Sequence, residues 1–120
     1  MKESLRDRML RGDVLTGTFL KTPAFQLVEV LAMSDFDMIA LDAEHAPFDR
    51  GSIDASLGIA RAMDFPVLVR THDGTPGTIL TVLDSGATGV IVPHIDSAAK
   101  AEAIARAARF GHGGRGYAGS

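Results

Sequence analysis

The residues able to do chemistry gather behind short apolar runs. Asp42-Ala43-Glu44-His45 follows Met38–Leu41, Arg70-Thr71-His72-Asp73 follows Val67–Val69, Pro93-His94 follows Gly89–Val92, and Lys21-Thr22 follows Val14–Leu20. Three of the four histidines therefore occupy equivalent places. An imidazole can move a proton near neutral pH. A guanidinium can hold a carboxylate or steady a developing oxyanion. Asp42 or Glu44 taken singly is as readily a helix cap or a partner for Arg70. Asp42, His45 and Arg70 together form a charged cluster that is costly to keep without a use. His72 and His94 read as solvated loop residues. Lys21 is the only rim lysine, which gives Schiff-base chemistry poor support.

The elements that must position these groups repeat. The four apolar runs start roughly 22 to 29 residues apart, the spacing of βα units, and runs this short suit buried parallel strands. Between them the pattern is helical. Pro23 opens a segment with Phe25, Val28, Leu31 and Ala32 at helical spacing. Asp49 can cap a helix carrying Ile53, Leu57 and Ala60. Pro76 suits the first turn of a helix with Ile79, Val82 and Leu83 inward and Gly86 closing it. Asp96 or Ser97 can cap a last helix with Ala101, Ile104, Ala105 and Ala108 inward. Ser4–Leu10 adds a short amphipathic helix, and Met33, Met38 and Met63 read as core filler. Periodicity leaves two architectures open: a small doubly wound sheet, or the first half of an eight-stranded barrel.

Composition narrows the function classes. The chain has 120 residues and a formal charge of −3, and it lacks cysteine. It carries no strong nucleic-acid footprint, no apolar run long enough for a membrane span, and no thiolate site or disulfide. Lys2, Glu3, Arg6, Asp7, Arg8 and Arg11 interrupt any signal-peptide core, and a cytoplasmic location is expected. Gly111-His112-Gly113-Gly114-Arg115-Gly116 formally matches G-x-G-x-x-G but follows a helix instead of a strand, so the dinucleotide reading fails. A flexible loop around a rim, with Arg115 as an anion contact, is the better expectation.

Phe36-Asp37-Met38-Ile39-Ala40-Leu41-Asp42-Ala43-Glu44-His45-Ala46-Pro47 resembles the second-strand signature of the HpcH/HpaI aldolases, the class II 2-oxo acid aldolases. Pro66-Val67-Leu68-Val69-Arg70, Leu83-Asp84-Ser85-Gly86-Ala87, Gly89-Val90-Ile91-Val92-Pro93-His94 and Arg115-Gly116 extend the match from Gly17 to Gly119. The resemblance implies a (β/α)8 TIM barrel, of which residues 1–120 would be the N-terminal half of a single domain. It implies a homo-oligomer that reversibly cleaves a 4-hydroxy-2-oxo acid to pyruvate and an aldehyde with a divalent metal, usually magnesium, manganese or cobalt. Carried over, His45 is the acid/base residue, Asp84 its dyad partner, and Arg70 the residue that binds pyruvate and steadies the enolate. Asp42, and with it Glu44, stands near the metal water.

The chain departs from the family pattern twice. Gly111-His112 stands where two prolines are usual, and the two metal-ligating carboxylates, from strands five and six, would lie beyond Ser120. No metal ligand is therefore expected within 1–120. A citrate-lyase-like acyl-CoA lyase is the related alternative. A noncatalytic truncated half-barrel or association module is the alternative from another class, because four strands leave two open edges.

Overall fold

The computed structural model describes residues 2–111 and 113–117. The elements run α1 (Leu5–Arg11), β1 (Gly17–Leu20), α2 (Phe25–Ala32), β2 (Met38–Asp42), α3 (Arg50–Ala62), β3 (Val67–Arg70), α4 (Pro76–Asp84), β4 (Gly89–Ile91) and α5 (Ala98–Ala107). Local chemistry sets the helix starts. Ser4, Asp49, Thr75 and Ser97 each accept a backbone N–H of the first turn, and Pro76 takes the position where its missing N–H costs nothing. At α3 the cap is reciprocal: Asp49 accepts from the Ser52 amide while the Ser52 hydroxyl oxygen accepts from the Asp49 amide. Asp49→Ala should cost about 1 kcal/mol, seen as a lowered urea midpoint with an unchanged slope. Gly86, at φ 105°, turns the chain from α4 toward β4 in a conformation that favours glycine.

The sheet decides between the two architectures. All strand pairs are parallel and the order is β1-β2-β3-β4. A doubly wound sheet reverses its order at a switch point; this one advances by one neighbour each time, as a barrel wall does. Its two faces differ accordingly. Leu20, Ile39, Leu41, Val67 and Val69 point to one face and form the core with Val28 of α2, Leu57 and Ala60 of α3, and Val82 of α4. On the other face Phe19, Met38, Ala40, Leu68 and Ile91 line a shallow apolar hollow, and Phe19 is 47% exposed. Asp42 and Arg70 lie at the end of that second face, because side chains alternate along a strand.

Several expectations are corrected. Val14 is exposed and β1 begins at Gly17, since Thr16 instead hydrogen-bonds the Asp37 carboxylate ahead of β2. Met33 is 77% exposed just past α2 and Met63 sits at the exposed end of α3, while Met38 is half-buried and lines the hollow of the second face. On α5, Ala107 is buried and Ile104 and Ala108 half-buried, while Ala101 and Ala105 face outward. The last helix packs on α4 at the edge of the layer, so its inward face is narrow.

Candidate active site

β2 and β3 place the central pair. Asp42 and Arg70 are register partners on adjacent parallel strands, both at the carboxyl end. Arg70 donates from Nε to Asp42 Oδ1 at 3.0 Å and from Nη2 to Oδ2 at 2.7 Å, a two-pronged contact. Asp42 is fully buried. Its Oδ1 also accepts the backbone N–H groups of Glu44 at 3.2 Å and His45 at 3.0 Å, which bends the chain into a turn directly after β2. Lys21, after β1, brings its Nζ to 3.6 Å from Oδ2. The Arg70 guanidinium, helped by the two backbone amides, holds the Asp42 carboxyl well below the usual carboxylate range. Asp42 in turn raises the Arg70 value.

Arg70 is held but not used up. Of the five N–H groups a guanidinium carries, two engage Asp42. The guanidinium carbon sits 4.4 Å from the centre of the Phe19 ring, so β1 supports the cation from one side. Glu44 completes the cluster. Its side chain is 12% exposed, and its Oε1 lies 3.1 Å from His45 Nε2 and 3.7 Å from Arg70 Nε. Its Oε2 lies 3.2 Å from His94 Nε2.

The structure thus brings Asp42, Glu44, His45 and Arg70 to one rim, as expected from their places after β2 and β3. It does not bring Asp84 to His45 within the chain. Asp84 ends α4, and the crossover helix runs back along the strands, so this end lies with the start of β3: the Thr88 amide donates to the Val67 carbonyl just beyond it. There Asp84 accepts from Arg115 Nη2 at 2.9 Å. Arg115 is therefore no anion contact at the chemical rim; it stacks on Phe110 and ties the glycine loop to α4. His112 lies outside the described residues. His72 pairs with its neighbour Asp73 and stays a loop residue. Asp73 is held below its ordinary range mainly by the Thr75 amide. His94 likewise stays an exposed loop residue, 88% exposed, with its Nε2 3.2 Å from Glu44; one neighbour of the site was missed from sequence, Phe19, which read as a strand residue.

A family model described as HpcH/HpaI aldolase/citrate lyase matches residues 15–120. The chain belongs to this family. It is 35% identical to a hydroxypyruvate/pyruvate aldolase of Roseovarius nubinhibens over 89% of its own length and 42% of that protein's. It is 34% identical to a 4-hydroxy-2-oxovalerate aldolase of Rhodococcus jostii, over 98% and 46% of the two chains. The crystal structure of an HpcH/HpaI aldolase from Desulfitobacterium hafniense superposes with a TM-score of 0.88 at 27% identity, covering 97% of this chain and 46% of that one. The chain spans less than half the length of these HpcH/HpaI relatives and makes four βα units of their TIM-barrel-type fold.

HpcH/HpaI aldolases generally depend on a divalent metal. The residues described here do not fit one by themselves: no group of three or more His, Asp or Glu side chains among them is arranged to hold an ion. Asp42 gives both oxygens to Arg70 and the turn, and the Glu44 oxygens lie 3.1 and 3.2 Å from imidazole nitrogens of His45 and His94. No helix among the described residues is long and apolar enough to cross a membrane.

Proposed function

We propose that the chain supplies the first four βα units of a barrel that cleaves a 4-hydroxy-2-oxo acid to pyruvate and an aldehyde. The observation that carries this reading is the guanidinium of Arg70, fixed on buried Asp42 beside the His45 turn with N–H groups to spare. A 2-oxo acid presents a carboxylate and a ketone oxygen on adjacent carbons, which suits a planar, two-pronged donor. His45 takes the proton of the 4-hydroxyl group. The C3–C4 bond then breaks, the aldehyde leaves, and the electron pair enters the enolate of pyruvate, whose oxygen Arg70 steadies. Protonation of the enolate carbon gives pyruvate and returns the proton.

Magnesium, manganese or cobalt, when bound, would polarise the 2-oxo group. It would need ligands other than the described residues, with Asp42 and Glu44 bordering it. The reading takes the working enzyme to be a cytoplasmic homo-oligomer acting on small molecules, in keeping with the family resemblance.

The test is metal-supplemented incubation of the protein containing the complete barrel with a 4-hydroxy-2-oxo acid, scoring pyruvate and aldehyde together. Equimolar release is expected. Turnover confined to an acyl-CoA thioester, or no turnover with any of the three metals, overturns the reading. Within it, Arg70→Lys should lower kcat/KM by about 2–4 kcal/mol, because a point charge cannot reproduce the fork. Near-normal kinetics would leave Arg70 as a structural partner of Asp42.

A further inference from the structure

The sheet register sets Phe19 of β1 level with Ala40 of β2 and Leu68 of β3, one step below the Asp42–Arg70 pair on the same face. Neighbouring strands stand about 4.8 Å apart, so β1 and β3 are roughly 10 Å apart with β2 between them. Arg70 nevertheless carries its guanidinium carbon over the Phe19 ring, 4.4 Å from its centre. The side chain of Arg70 therefore crosses β2 between Asp42, which grips it, and Ala40, which offers only a methyl group to pass over. Ala40 is buried although it belongs to the open face of the sheet.

The grip of Asp42 is incomplete as geometry. Its two hydrogen bonds, at 3.0 and 2.7 Å, fix a line and not a plane. The guanidinium can hinge about that line, and the N–H groups that Asp42 does not engage swing with it. The Phe19 ring closes one side of this hinge. As one more wall of the apolar hollow with Met38, Leu68 and Ile91, position 19 would accept any apolar side chain of similar size. As a support for a cation it needs the negative face of an aromatic ring.

We propose that Phe19 is a positioning residue for Arg70: its ring face sets the plane in which the guanidinium presents its free N–H groups. That those groups receive a 2-oxo acid rests on the aldolase reading; the support of the guanidinium by the ring does not.

The first experiment observes Arg70 itself. 15N relaxation of its Nε–H group should report an ordered side chain in the parent protein. Phe19→Leu should make that group mobile, and Phe19→Trp should keep it ordered. Backbone amide spectra establish that both variants retain the fold. An Arg70 side chain as ordered in Phe19→Leu as in the parent would leave Asp42 as its sufficient support and overturn the proposal.

A kinetic arm uses the protein with its complete barrel and a 4-hydroxy-2-oxo acid. Phe19→Leu should lower kcat/KM about 2–30-fold, the range of a cation–ring contact, and Phe19→Trp should recover it. Mono-, di- and trifluorophenylalanine placed at position 19 keep the shape of the ring while its negative face fades step by step. Across that series kcat/KM should fall and Arg70 mobility should rise in the same order. Values that ignore fluorination and follow side-chain size alone would assign Phe19 to packing and overturn the positioning role. If the parent protein cleaves no hydroxy-oxo acid, the aldolase reading fails, while the relaxation of Arg70 still decides whether the ring supports it.

Discussion

His45→Ala is expected to lower aldol cleavage by about 10²–10⁴-fold, the usual contribution of a positioned acid–base group. The measurement belongs in the protein with its complete barrel, with deuterium exchange into the pyruvate methyl group followed by NMR beside it. Cleavage needs a proton taken from a hydroxyl oxygen. Exchange needs one taken from carbon, next to a carbonyl that Arg70 steadies under the proposed reading. Loss of the imidazole should therefore harm exchange less than cleavage. The His45 amide is anchored on Asp42 whatever side chain follows it, so the turn survives the substitution. Equal losses in both reactions, or none in cleavage, would take His45 out of the proton-transfer role.

Asp42→Ala is expected to destabilise the fold by about 3–5 kcal/mol, the cost of breaking a buried ion pair from one side. That is a large share of the roughly 5–15 kcal/mol a domain has in total. The substitution leaves Arg70 without its anion and frees the Glu44 and His45 amides together. Urea unfolding should show the loss as a lower midpoint. The pH dependence follows from the same carboxylate. Its native value is depressed below its unfolded value, which lies near ~3.9. Its contribution is therefore complete above that unfolded value and disappears as pH falls through the native one. Asp42→Asn should be less stable than the parent near neutrality and show a shallower decline on the acid side. An unchanged acid slope would mean that Asp42 is not the charge that carries it.

What could be read from the sequence was what is local. Asp49, Pro76 and Ser97 announced their helices because a cap acts within three residues. Asp42 and Arg70 were legible because strand ends on adjacent parallel strands share a rim. What failed depended on neighbours. Val14 is as apolar as a strand residue, yet the sheet starts only after Thr16 has engaged Asp37. Alanine at most positions of α5 gives a helical pattern without a phase, so its buried side was misjudged. The pairing of His94 with Glu44 spans the end of an intervening strand, and no spacing along the chain encodes it. Asp84 and His45 lie at opposite ends of the sheet, because the helix that ends at Asp84 runs back along the strands, so a pairing between them is not made within one chain.

The double duty of Asp42 has a consequence for how such a site can diversify. One carboxylate fixes the Arg70 guanidinium and, through two backbone amides, the shape of the loop that carries His45. Single steps at Asp42 therefore disturb the Arg70 guanidinium and the His45 turn at once, and selection meets them as one block. His72 is exposed and lies outside that block, pairing with Asp73 instead. Under the proposed reading, changes in substrate range have an open route there, on a side chain that can be replaced without disturbing the Asp42–Arg70 pair.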